Sequence, residues 1–163
     1  MDRRGDLFVG NGDEGSGGGT VVEYRSGSTI PYQVLQTPGS EVDGMDFDRQ
    51  GNLYVAYRNY SYSGSIDEFA PGSTQGLILG MTLNQPQGVV VDKQGNVLAV
   101  ETGDTPRIDL FPPGDQTPST EVPMPNDDTP TQLAIRRKEN RLFVTGYSGT
   151  VYVTHYPLHT NVY

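Results

Sequence analysis

Cysteine is absent from this 163-residue chain, so neither a disulfide framework nor a thiolate metal site is available to it. Positive charge is scarce as well. Eleven Lys and Arg side chains face twenty Asp and Glu, for a net charge of −9, and only two of the eleven are lysines. Phosphate backbones are bound by clustered cations, so this balance argues against nucleic acid as a partner. The one basic cluster, Arg136, Arg137, Lys138 and Arg141, reads as a solvated turn. Long apolar runs are missing too. Nothing approaches the ~20 residues of a membrane-crossing helix, and Met1-Asp2-Arg3-Arg4-Gly5-Asp6 does not lead into the apolar core of a signal peptide. Gly, Pro, Ser, Thr and Tyr are abundant instead. With little Lys, that composition points to a secreted or cell-envelope protein, whose leader would lie outside this sequence.

The chain repeats itself. Gly5-Asp6-Leu7-Phe8-Val9 returns as Gly51-Asn52-Leu53-Tyr54-Val55, as Gly95-Asn96-Val97-Leu98-Ala99 and, more weakly, as Asn140-Arg141-Leu142-Phe143-Val144, at spacings of 46, 44 and 45 residues. A period near 45 built of short strands is the length of a propeller blade. Helical repeats of that length would need a periodicity of 3.6, which is absent, and Gly and Pro at this density break helices.

Each period reads as four strands. The first covers 42–48, 88–92 and 132–136, where Met45 and Phe47, Val89 and Val91, and Leu133 and Ile135 alternate onto one face. A tight turn follows, Asp48-Arg49-Gln50-Gly51-Asn52 or Asp92-Lys93-Gln94-Gly95-Asn96. Its Gly supplies positive φ for a short hairpin loop, its Asp accepts the turn amides, and Asn140 takes the Gly place in the fourth copy because Asn tolerates that conformation. The anchor run is the second strand. The third covers 21–24, 65–69, 107–111 and 151–153, ending in Pro71-Gly72, Pro113-Gly114 or Ser26-Gly27 turns. Outer strands are expected near 32–35, 77–83 and 120–124, where Pro123 is tolerable because an edge strand has spare donors.

Pro86-Gln87-Gly88-Val89-Val90-Val91-Asp92, then Gly95-Asn96-Val97-Leu98-Ala99-Val100-Glu101-Thr102-Gly103-Asp104, then Arg107-Ile108-Asp109-Leu110-Phe111, resembles an NHL repeat. That pattern runs Pro-x-Gly-(hydrophobic)-x-(hydrophobic)-Asp, Gly-Asn-(hydrophobic)-Tyr-Val-Ala-Asp-(small)-Gly-Asn, Arg-(hydrophobic)-x-x-Phe. Glu101 and Asp104 depart from it, and residues 57–64 replace its short acidic turn in the second repeat. The resemblance implies an all-β protein, a β-propeller of four-stranded antiparallel blades. The repeats fall at about 1–41, 42–85, 86–129 and 130–163, the first without its inner strand and the last without most of its outer one. The expectation is a single segment that forms an incomplete arc of a six- to eight-bladed ring, with open blade edges able to self-associate.

Function is less legible, because propellers host many activities. The loops between second and third strands share one face and diverge strongly, while the turns opposite stay alike. Tyr57, Arg58, Tyr60 and Tyr62 form a candidate stacking surface for a sugar or peptide, since tyrosine offers contact area at low entropic cost; Tyr147 sits in the equivalent loop of the fourth copy. Glu101 and Asp104 are candidates for a metal or acid/base pair, or else for capping turns between blades. Asn11, Asp13 and Glu14 offer hard oxygens to a divalent cation such as Ca²⁺, without the alternating spacing of a calcium loop. The resemblance extends to lactonase-like propellers, where an axial metal sits among inner-strand acids and amides. Asp46 stands at such a position, but Val90 and Ala134 occupy it in the next copies. His155 and His159 flank Pro157, which forbids the helix a zinc pair would need. No serine sits in a nucleophile elbow, and the glycine-rich stretch lacks the lysine of a phosphate loop. The expectation is a non-enzymatic module presenting variable loops to a protein, peptide or glycan. The alternatives are a metal-dependent lactonase or lyase with part of its site outside this chain, or a subunit of a multi-chain assembly.

Overall fold

The computed structural model of the chain describes residues 1–12, 18–136 and 140–158. Among them lie four antiparallel sheets, each a run of consecutive strands. The first sheet holds β1 (Leu7–Asn11), β2 (Thr20–Tyr24) and β3 (Pro31–Gln36). The second runs from β4 (Glu41–Phe47) through β5 (Leu53–Arg58) and β6 (Ser63–Phe69) to β7 (Leu77–Ile78), with β8 (Leu83–Asn84) also paired to β6. β9 (Pro86–Val91), β10 (Val97–Glu101), β11 (Arg107–Phe111) and β12 (Thr120–Pro123) make the third. The fourth is β13 (Pro130–Arg136), β14 (Arg141–Gly146) and β15 (Val151–His155). The inner strands β4, β9 and β13 lie side by side. The chain is an incomplete β-propeller.

The repeated turns set the hairpins. Asp48 accepts the amides of Gly51 (2.7 Å) and Asn52 (2.8 Å), and Asp92 accepts those of Gln94 (2.7 Å) and Asn96 (2.9 Å). Gly51, Gly95 and Asn140 take φ of 92°, 86° and 48°. The first repeat carries the same device one step before its anchor. Asp2 accepts the amides of Arg4 and Asp6, both at 2.9 Å, around Gly5. Asp2 stands three residues before its glycine, as Asp48 and Asp92 do. Arg137, Lys138 and His159, together with 160–163 where an outer strand could begin, lie outside the described residues.

Stacking explains why the second strands are apolar on both faces. Along β5, Leu53 and Val55 pack back against Phe8, Val21 and Leu35 of the first sheet. Tyr54 and Ala56, pointing the other way, pack forward on Val89, Val91 and Val97 of the third. β10 repeats the division, with Leu98 and Val100 directed at Leu133, Leu142 and Val144. A strand buried on both faces reads as a continuous apolar run rather than an alternation, and each fully buried Leu, Val or Phe contributes ~1.5–3 kcal/mol. Leu7 and Val9 hold the positions of Leu53 and Val55 but are 45% and 37% exposed, because no sheet among the described residues covers that face.

Two departures from the expected strands follow from local packing. The outer strand expected over 77–83 is broken. Gly80 at φ 77° lets Met81 turn inward, where it is buried with Leu83 in the joint between blades two and three. Each inner strand also carries a register shift near its start, at Asp43, Gln87 and Thr131. After the first two shifts, at Gly44 and Gly88, the inner strand lies close against its neighbour. A Cβ on Gly44 would stand 2.7 Å from Gly88 Cα, and one on Gly88 would stand 3.0 Å from Leu133 Cδ2.

Candidate functional site

Among the described residues, the most elaborate of the divergent loops is the β5–β6 loop of blade two. Asn59 builds it: its Oδ1 accepts the amide (3.0 Å) and hydroxyl (2.7 Å) of Ser61, while its own amide donates to Ser63 O at 2.8 Å. The turn closes through Tyr62 N on Asn59 O (3.0 Å) and is tied to the following linker by Gln85 N on Tyr62 O (2.7 Å). Tyr62 adopts φ 67°, a left-handed conformation that costs a bulky residue energy and that persists where surrounding structure enforces it. Tyr62 is 55% exposed and Tyr60 61%.

Beside these rings lies a cavity of about 520 Å³ between the loop ends of blades one and two. Its wall is polar. Ser40, Glu41, Arg58 and Asn59 line it with Gly12, and the two tyrosines supply its apolar surface. Arg58 is fixed in place: Nε (3.1 Å) and Nη2 (2.6 Å) both donate to Glu41 Oε2, and Nη1 lies 3.6 Å from Asp43 Oδ1. Burial works against the guanidinium charge, but the Glu41 hydrogen bonds and the Asp43 charge outweigh it and raise the Arg58 pKa. Asp43 has the opposite fate. Its side chain is 6% exposed, its Oδ2 has no hydrogen-bond partner, and burial pushes its pKa up to about 7 despite the nearby arginine.

The other sequence candidates are dispersed. Tyr57 turns into blade two, 6% exposed, with its hydroxyl donating to Asp67 Oδ1 at 3.0 Å; it is no part of the exposed aromatic surface. Glu101 is buried at 1% exposure, where Oε2 accepts Asn84 N (2.6 Å) in the linker between blades. It also forms an ion pair with Arg107, which in turn holds Asp109 at 2.9 Å. Burial, and then the neighbouring Asp109, push the Glu101 pKa up. Asp104 is exposed at the tip of that loop and stands apart from this buried group. Tyr147, 84% exposed, projects from blade four and does not line the cavity. Asn11 ends β1 with its side-chain amide directed at Val9 O (3.4 Å) and Thr20 Oγ1 (3.5 Å); Asp13 and Glu14 lie outside the described residues. Among the described residues no three His, Cys, Asp or Glu side chains gather at metal-binding distance.

Asp46 serves the joint between blades, accepting Val91 N at 2.8 Å. Gln132 does similar work across the inner strands, its Nε2 donating to Gln87 O (3.2 Å) and Asp43 O (3.4 Å). Glu41, Asn59 and Ser40 were not legible as site residues, since only the register Glu41↔Arg58 and the linker path bring them together. Asp128 was missed as well. It organises the blade-four loop by accepting Ser148 Oγ (2.6 Å), Ser148 N (3.2 Å) and Tyr152 OH (2.9 Å).

No family model matches the chain, and no curated protein matches it. Among solved structures it is similar to a protein provisionally designated a gluconolactonase, with a TM-score of 0.71 at 16% identity over 96% of this chain and 57% of the other. It is likewise similar to the Dos1 propeller, with a TM-score of 0.69 at 12% identity over 94% of this chain and 41% of that one. The chain thus spans less than two thirds of either neighbour, and likeness at this identity establishes the fold alone: a partial β-propeller.

Proposed function

We propose that the chain is a non-enzymatic binding module that receives a protein, peptide or glycan partner at the loop ends of blades one and two. The observation that carries this reading is the cavity in which a clamped Arg58–Glu41 pair stands beside the exposed rings of Tyr60 and Tyr62. A concave site of this volume, with a few fixed polar groups and aromatic walls, is the usual form of a ligand pocket. Tyrosine and arginine are also the residues that dominate recognition surfaces.

The test is a capture screen against peptide and glycan libraries, run in parallel with a variant whose 59–62 loop is replaced by the 102–105 loop of blade three. Ligands retained by the native protein and lost by the variant are the expected result. Retention indifferent to the exchange would place binding elsewhere and remove the proposal.

The second reading is a lactonase or lyase, favoured by the buried Asp43 on the inner strand. The described residues do not by themselves fit an axial cation there. Asp43 has the neutral Gln87 and Thr131 as its equivalents, and Asp46, engaged by Val91 N, has Val90 and Ala134, whereas hard divalent ions gather several oxygen ligands with anionic charge. Turnover of sugar lactones by the purified protein, dependent on an added divalent ion, would overturn the binding reading.

A further inference from the structure

We propose that the cavity between blades one and two is a subsite for a neutral oligosaccharide, with Tyr60 and Tyr62 as stacking platforms and Arg58, Glu41 and Asn59 as the groups that read hydroxyls. This inference rests on the binding-module reading and deepens it to one ligand class.

The lining decides between classes. Peptide recognition needs either an open strand edge or apolar pockets for alternate side chains. Here β5, which carries Arg58, has a partner on each side; β4 keeps an open inner edge, so the lining decides, and among the described residues no aliphatic side chain lines the cavity. A pyranose ring has the complementary shape, with a face of C–H groups and a rim of hydroxyls that both donate and accept. The exposed tyrosine rings match the face. The rim is matched by donors and acceptors held side by side: Arg58 supplies N–H groups and Glu41 carboxylate oxygens. The pair is fixed before any ligand arrives, because Arg58 is held by Glu41 on one side and approached by the buried Asp43 on the other. Preorganisation of this kind lowers the ordering cost of binding.

Charge then narrows the class to neutral sugars. The half-exposed Glu41 faces the cavity in a chain of net charge −9, a field that repels polyanions. Backbone geometry supplies an independent indication. The left-handed Tyr62 is strain that a purely structural turn could remove with Gly or Asn, yet here it holds an exposed ring at the cavity rim.

The test uses the full chain with cellotetraose, xylotetraose, mannotetraose and chitotetraose as probes. The chain has no tryptophan, so its intrinsic emission is that of its ten tyrosines, the two platforms among them; the Tyr60→Ala and Tyr62→Asn variants assign the change to the platforms, and amide NMR shifts map the site. The expected result is a saturable response to at least one tetrasaccharide, with shifts centred on residues 58–63. Affinity should fall at least about tenfold in Tyr60→Ala and in Tyr62→Asn, and change little in Tyr60→Phe, which keeps the ring. Tyr62→Asn removes the ring at a position whose backbone Asn tolerates well, so lost binding there is separable from lost fold. Absence of any saturable response at millimolar concentration, or a response unchanged by both ring variants, overturns the inference. A peptide or protein captured through the same loop while all four sugars fail would sink the oligosaccharide assignment alone. If exchange of the 59–62 loop alters the capture of nothing, the binding-module reading falls with it.

Discussion

Blades two and three share one backbone plan and differ in how they hold a buried acid. Asp67 on β6 and Asp109 on β11 occupy the same place in the third strand, two residues before Phe69 and Phe111, and are 2% and 1% exposed. In blade two the residue facing this acid from the second strand is Tyr57, a neutral donor. In blade three the same strand position is Glu101, a second acid, and Arg107 is required to reconcile the two. The loops diverge from that point. The tyrosine leaves blade two free to continue into the long Asn59 turn beside the cavity. The Glu101–Arg107 pair commits blade three's loop to a structural knot tied to Asn84. The two blades bury an acid at one place in the third strand and satisfy it differently, and the blade with the neutral partner is the one whose loop lines the cavity.

The sharpest way to break the comparison is to remove the cation. Arg107→Met leaves Glu101 and Asp109 buried without their shared counter-charge. Stripping one partner from a buried ion pair costs about 3–5 kcal/mol, and the low end applies because the Arg107 side chain is 29% exposed and Glu101 keeps the Asn84 amide. A loss of about 3 kcal/mol at pH 8 is expected in denaturant unfolding. Because the Glu101 pKa is already raised in the fold, the native state binds its proton more readily than the unfolded chain does. Stability therefore grows as pH falls through the folded pKa, and the deficit should narrow by pH 5. A deficit independent of pH would show that the arginine acts through packing alone.

Backbone approach gives the next effect. Gly44 and Gly88 are equivalent, but Gly44 abuts main chain (Gly88 Cα, 2.7 Å from an added Cβ) while Gly88 abuts the end of a flexible leucine (Leu133 Cδ2, 3.0 Å). Overpacking typically costs 1–3 kcal/mol, so Gly44→Ala should destabilise by about 2 kcal/mol and Gly88→Ala by about half that. Equal melting shifts for the two would mean that the inner strands do not pack as tightly as the contacts imply.

Tyr57→Phe tests the other half of the comparison. It removes the one hydroxyl donated to Asp67 Oδ1, and a buried acceptor left unsatisfied costs about 1–3 kcal/mol. Burial already holds the Asp67 pKa up, with the Tyr57 hydrogen bond opposing it. Protonation softens the loss, so a cost of about 1.5 kcal/mol is expected, smaller at pH 5 than at pH 8. Titration of Asp67 by carboxyl NMR should move further upward in the variant; an unchanged titration would show that the hydroxyl does not govern the acid.

Most of the fold was legible because its signals are local and repeated. The Asp-x-x-Gly turns, the Pro-Gly turns and the apolar second strands recur at one period, and the strands lie where that period places them, β11 with both ends as expected. The candidate site was only half legible. Tyr60 and Tyr62 announce themselves as loop aromatics, but Tyr57 was grouped with them although strand alternation puts it in phase with Leu53 and Val55, which face the core. Glu41, Asp43 and Arg58 come together through cross-strand register and a register shift that no local pattern encodes. The broken outer strand of blade two was equally hidden, because Gly80-Met81 looks like strand interior until Met81 finds a joint to fill.

Asp43→Gln sharpens the comparison at its most delicate point, because it gives blade two the residue that blade three carries at the same register shift, Gln87. The native carboxylate is buried, has one oxygen without a partner, and titrates near pH 7 rather than at its ordinary value of 3.8. An acid whose folded pKa is raised contributes stability that is complete below the unfolded pKa and disappears as pH rises through the folded one. The native protein should therefore lose stability between about pH 4 and pH 7 at this position, and the glutamine variant should not. At pH 8 the variant should be the more stable of the two by about 1 kcal/mol, a modest gain because Arg58 loses a counter-charge at 3.6 Å while keeping Glu41. At pH 4 the difference should vanish. If the variant is instead the weaker at pH 8, then Asp43 is chiefly an electrostatic anchor for Arg58, and the clamp beside the cavity depends on a charge that blade three does without.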